Sequence, residues 1–265
     1  MPDQFKTLRL TVCILAIVLA FIVIVIFNLI PYYPGAEHGS TAAAINSLSQ
    51  FLVDRQPDGS SNFLAWQNLM WIGFFWALAE LFIRYQLLSS QRKELQMKLL
   101  PESAEVILTA ANMPEIHRTV VTRKATGTLG SMVKLLSSQF QISRSVSMCS
   151  TVLSAETESR NAEIDLGYNM VRYLVWMIPT LGFCGTVDGI LKALRVASSL
   201  NPTDAELLPK VIASMSVAFW TTLLALVMSC IIMWVMHIIQ AKEEGYLNNC
   251  SQYCLRNFIN RLYEK

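Results

Sequence analysis

Two stretches carry reactive side chains where the surroundings otherwise exclude them. In "IPTLGFCGTVDGI" (178–190), Thr186 sits among Pro179, Gly182, Gly185 and Gly189. In "IASMSVAFWTTLLALVMS" (212–229), Ser214, Thr221 and Thr222 interrupt an apolar run. A hydroxyl both donates and accepts, so a set of them at membrane depth needs polar partners. Asp188 and Lys192 lie four residues apart, the spacing of an ion pair on one helix face; an ion-access or partner-docking charge is the other use of Asp188. No apolar stretch holds a His/Glu/Asp cluster at catalytic spacing, and no phosphate-cradling loop occurs, so the chain reads as a non-enzyme without catalytic residues. Cys250 and Cys254 share a helix face, but two cysteines lacking a third or fourth ligand nearby do not make a metal site.

Helical spacing turns these residues into faces. Pro179, Gly182, Thr186, Gly189, Ile190 and Ala193 recur at i, i+3 and i+4, which places them on one side of a helix. Gly185 and Gly189 form a GxxxG pair. Apolar surface gives no drive for association in lipid, so close approach through small residues supplies the packing. Pro179, Gly182, Gly185 and Gly189 are therefore read as helix-packing positions. Ser214, Ala218, Thr221, Thr222, Ala225 and Ser229 make a second small stripe, opposite Phe219, Leu223, Leu226 and Val227. Its hydroxyls either bond back to carbonyls of their own helix or line a polar lumen shared among several copies. Asp188 stands roughly 200° round the helix from Thr186 and should not enter the same lumen.

The elements that hold these faces follow from composition. Of 265 residues, 53% are hydrophobic and 15% charged, with a net charge of +2; soluble domains carry roughly 25% charge, and nothing suggests nucleic-acid binding. Apolar runs long enough to cross a bilayer are expected at 10–30, 63–86, 171–194 and 208–240. The first is too long for a cleaved signal peptide and ends in "NLIPYYPG". Lys6, Arg9, Arg84, Arg92, Lys93, Lys98, Arg160, Arg172 and Lys242 flank one set of span ends, whereas the loop 31–62 has only Arg55 among its lysines and arginines. By the positive-inside rule both termini are cytoplasmic.

The expected architecture is all-α and polytopic, with four membrane helices. Residues 1–30 hold the N-terminus and first span, and 31–62 an extracytoplasmic loop with a short helix at "TAAAINSLSQFLVDR". The second span is followed by a helical cytoplasmic insert at 87–170, whose last part runs unbroken into the third span. A short hairpin at 195–207 follows, with Thr203 and Glu206 as a capping box. The third and fourth spans extend into the cytoplasm as long helices, and 241–265 closes the chain as a C-terminal helix. Cysteines on that side stay reduced.

"IPTLGFCGTVDGI" followed by "IASMSVAFWTTLLALVMS" resembles the MotA/TolQ/ExbB family of ion-driven motor subunits. The likeness lies in a Pro-x-x-Gly-x-x-Gly-Thr-x-x-Gly-like third helix and an Ala-Leu-x-x-Thr-like fourth, and it covers residues 170 to 240. Two spans before the insert are closer to the four-helix MotA layout. The resemblance implies a homopentamer in a bacterial inner membrane. Its third and fourth spans would enclose a dimer of a single-span MotB/TolR/ExbD-like partner bearing an intramembrane Asp. Flow of H+ or Na+, with no other cofactor, would drive rotation or mechanical work. It further implies a pore lined by Thr186 and Thr222, with Thr221, Ser214 and Ala218 beside them. A soluble cytoplasmic protein could dock on the insert. Two positions depart from the family: Val217 stands where the TolQ/ExbB branch has a glutamate, and Asp188 where an apolar residue is usual. The competing reading is a non-conducting membrane scaffold that assembles through the same small faces.

Overall fold

The computed structural model describes residues 2–30, 33, 41–53, 65–97, 99–100, 107–123, 125–199 and 207–263. Of the described residues 90% are helical, and the β pairing among them is one isolated bridge between Leu108 and Leu262. The helices are α1 (Pro2–Asn28), α2 (Thr41–Leu52), α3 (Trp66–Leu95), α4 (Met113–Thr122), α5 (Thr128–Ser143), α6 (Val146–Gly167), α7 (Asn169–Ser199) and α8 (Leu207–Asn257). Most of the 31–62 loop and the Thr203–Glu206 capping box lie outside the described residues.

Two compact units emerge, Met1–Ile83 with Met170–Met236, and Arg84–Asn169 with His237–Lys265. The first holds the apolar spans. α1 buries Ala20 and Ile24 but leaves Leu15, Ile22 and Ile26 about half exposed, as a helix facing acyl chains would. Its backbone polar groups are satisfied internally, the condition for residing in lipid. α2, foreseen as a short helix, is capped by side chains of α3. Gln67 Nε2 donates to the carbonyls of Gln50 (3.0 Å) and Phe51, and Trp71 Nε1 to that of Leu52 (3.0 Å). These are C-terminal carbonyls that a helix cannot satisfy by itself.

Among the described residues, three helical stretches are long and apolar enough to cross a membrane, represented by α1, the α6–α7 run and α8. α3, the helix of the expected second span, has ample length at 30 residues, yet Gln67, Asn68 and Glu80 lower its apolar character. All three are buried in protein.

The second unit has a conventional core. Leu129, Met132, Val133, Leu136 and Phe140 of α5 pack with Met113 of α4, Cys149 of α6 and Cys250, Cys254 and Phe258 near the end of the chain. α3 enters it through a buried carboxylate: Glu94 Oε1 accepts the Gly127 N–H at 2.6 Å, at the first turn of α5. A negative charge there meets the positive end of the helix dipole. A Cβ on Gly127 would lie 2.6–2.7 Å from that carboxylate, so only glycine lets the carboxylate reach the backbone. Tyr168, fully buried, donates to Glu243 (2.8 Å), while Arg84 pairs with Glu243 (3.5 Å) and lies over the Tyr168 ring. Burial pushes the Cys250 thiol up to about 11 and that of Cys254 up to about 12.

The expected unbroken helix into the third span is corrected here. α5 ends at Arg144 in the left-handed conformation (φ 49°, ψ 21°), and α6 restarts with Ser145 as N-cap, its hydroxyl accepting from the Met148 N–H. A second interruption, at Tyr168, separates α6 from α7. Nothing in the apolar spacing marks Arg144, because a one-residue reversal leaves the periodicity on either side intact.

Candidate functional site

α7 and α8 lie antiparallel in the first unit, and glycine sets how closely they approach. A Cβ on Gly182 would strike Ala225, one on Gly185 the side chain of Thr221, and one on Gly189 that of Ala218. The three pairs advance along α7 and retreat along α8 in step, the register of two antiparallel helices. Small residues oppose small residues at every level, which is how lipid-embedded helices gain van der Waals contact.

Pro179 sits inside α7 and has no N–H to give to the carbonyl of Val175, one turn earlier. An unsatisfied carbonyl in hydrocarbon costs several kcal/mol. Here Ser229 Oγ of α8, buried, donates to the Val175 carbonyl at 2.9 Å. The proline thus creates a vacancy in one helix that a hydroxyl from the other fills, and it fixes the register at that end of the pair.

Midway along, the hydroxyls converge. Thr186 Oγ1 and Thr222 Oγ1 are in direct hydrogen-bond contact. Thr186 also reaches the carbonyls of Gly182 (3.2 Å) and Ala218 (3.3 Å), and Thr222 the same two carbonyls at 3.4 Å each. Thr221 Oγ1 donates to the Ala218 carbonyl at 2.7 Å. Each hydroxyl has a single hydrogen to donate and two lone pairs, so the Thr186–Thr222 pair can rearrange its donors at little cost. The threonines bond back to their own helix, as one reading of the stripe expects, and also across to the other helix of the same chain.

The predicted residues separate into three groups. Gly182, Gly185 and Gly189 meet α8, and Ala218 and Thr221 are buried against α7, so within the chain these two expected pore residues form the seam itself. Thr186 and Thr222 are half-buried. Phe219 and Leu226 on the far side of α8 are 62% and 55% exposed. The third group occupies the opposite flank of the seam. Lys192 Nζ and Asp188 Oδ2 pair at 3.0 Å, next to a recess of about 330 Å³ that Ser214 and Val217 also line. Ser214 Oγ donates to the Lys210 carbonyl at 3.1 Å. No group of three potential metal ligands occurs among the described residues.

Sequence reasoning missed the role of Ser229, although the signal was available: a proline at 179 names Val175 as the carbonyl needing a donor. It also did not foresee that the two small stripes face each other within one chain.

The chain was compared with known proteins. Residues 126–251, which take in α7 and the seam-forming part of α8, match the MotA/TolQ/ExbB proton channel family. Neither the curated proteins nor the solved structures yielded a match.

Proposed function

From the MotA/TolQ/ExbB proton channel domain that the chain carries at 126–251, we propose an ion-motive-force-driven stator subunit. Five copies surround the paired single-span helices of a partner, and α7 and α8 of each copy face them. The partner's intramembrane aspartate is the titrating group, and Thr186 and Thr222 are its hydrogen-bonding counterparts. The observation that carries this reading is the contact between those two hydroxyls across the helix seam. A bare carboxylate at membrane depth is expensive. A pair of alcohols whose hydrogens can be redirected stabilises it when charged and accepts from it when protonated. Rotation of one ring against the other then follows from alternate protonation of the partner's two acids.

The chain in this reading has four spans, α3 being the second. Its polar residues are tolerated in the membrane because they face protein, and Gln67 caps α2. Both termini and the Arg84–Asn169 segment are cytoplasmic in the inner membrane, by the distribution of lysine and arginine. Ala218 and Thr221 belong to the seam and only Thr186 and Thr222 to the pore.

Thr222→Val tests the assignment, since it keeps the shape and removes the hydroxyl. In the complex with its partner, gradient-driven ion flux should fall by about tenfold or more, the scale of one lost hydrogen bond to a charged group, with the oligomer unchanged in size. Undiminished flux would count against a pore role. A non-conducting scaffold is the reading left standing in that case, because the glycine seam supports assembly with or without ion flow.

A further inference from the structure

The recess on the flank opposite Thr186 and Thr222 is used by nothing above. Its polar rim carries Lys192, Arg195 and Ser214, with Asp188 paired to Lys192 at 3.0 Å. Its inner wall is Gly185, Gly189 and Val217. The volume, about 330 Å³, falls at the low end of ligand sites, roughly 300–1,000 Å³. Charge decides what it holds. One carboxylate against an ammonium and a guanidinium leaves the recess one positive charge in excess, which disfavours a cation and favours a single anion. Trp66, which opens α3, also lines it, and tryptophan concentrates at the headgroup level of membranes.

Depth agrees with that placement. At 1.5 Å per residue, Lys192 and Arg195 stand roughly 6 and 10 Å beyond Asp188 along α7, nearer the helix end at Ser199. The cations are therefore outermost and the apolar wall innermost, the polarity of a phospholipid seated with its phosphate at the surface and its chains inward. Guanidinium binds phosphate through paired N–H donors.

We propose that the recess between the outer ends of α7 and α8 binds the phosphate of a membrane phospholipid through Lys192 and Arg195. Asp188 orients the Lys192 ammonium and holds the net charge of the site at one. The bound lipid fills the side of the seam that small residues leave thin and braces α7 against α8. The site does not depend on ion conduction.

The test is retention of phosphatidylglycerol by the purified full chain in phosphatidylcholine nanodiscs, read by native mass spectrometry. The wild type should retain one phosphatidylglycerol per chain. Lys192→Gln combined with Arg195→Gln should weaken retention about tenfold or more, whereas Lys210→Gln, a cation of α8 outside the recess, should leave it unchanged. Asp188→Asn raises the excess charge and should tighten retention, opposite in sign to loss of a merely structural ion pair. Equal loss in the Lys210 variant would show a diffuse surface effect and overturn the site. Weaker retention in Asp188→Asn would overturn the charge argument on which it stands. Displacement of the lipid by an equal concentration of inorganic phosphate would overturn the lipid in favour of a free anion.

Discussion

At the scale of single residues, the seam between α7 and α8 is a set of exchanges between a group one helix lacks and a group the other supplies. Ser229 and Pro179 are the clearest case. Replacing Ser229 with alanine should destabilise the first unit by about 1 kcal/mol, the range measured for hydrogen bonds between membrane helices. In a Pro179→Ala background, where the restored N–H can satisfy Val175, the same replacement should cost little. A thermal-denaturation cycle over the four proteins reads the coupling, and additive effects would show that Ser229 and Val175 are not exchanging a needed bond. Thr186, Thr222 and the glycines were legible in the sequence because type and spacing alone single them out. The placement of Ala218 and Thr221 in the seam was not, since one helix's periodicity shows which residues share a face and not which neighbour covers it.

At the scale of elements, a contact at a helix end adds to the apolar core that holds the second unit together. The Glu94 carboxylate at the start of α5 requires the bare backbone of Gly127. Gly127→Ala should therefore expel Glu94 and destabilise this unit by about 1–3 kcal/mol, the span for leaving a buried hydrogen-bonding group without its partner. Hydrogen exchange of the α5 amides should quicken in step, and protection equal to that of the wild type would refute the anchoring role. Alkaline pH offers an independent probe. Burial holds the thiols of Cys250 and Cys254 protonated to about 11 and 12, and it also pushes up the phenols of Tyr168 and Tyr246, Glu243 and Cys250 adding to the respective shifts. An unfolded thiol loses its proton near 8.5. Above that pH the folded state binds more protons than the unfolded one, so stability falls as pH rises toward 11. The melting temperature should drop between pH 9 and 11, with a shallower slope in Cys250→Ala. A flat profile would mean that these thiols are not shielded. The long helices were readable from apolar spacing, and the short α2 was expected within the 31–62 loop. The breaks at Arg144 and Tyr168 were not, because each displaces the chain without altering the pattern on either side.

At the scale of the whole molecule, the candidate site is confined to one pair of apolar helices, α7 and α8. The remaining elements supply length, polarity and contacts. The family match spans α7 and the matching part of α8, where the residues that suggested it lie, and the partner's acid is the one component the proposed mechanism requires from outside. That dependence makes the assembled particle the decisive object. The complex should be co-purified with its neighbouring gene products and its density map determined by electron microscopy. Five chains around two guest helices, with Thr186 and Thr222 turned toward a guest carboxylate, is the predicted result. A ring closed by its own aliphatic side chains, or one whose Thr186 and Thr222 face acyl chains, would contradict it.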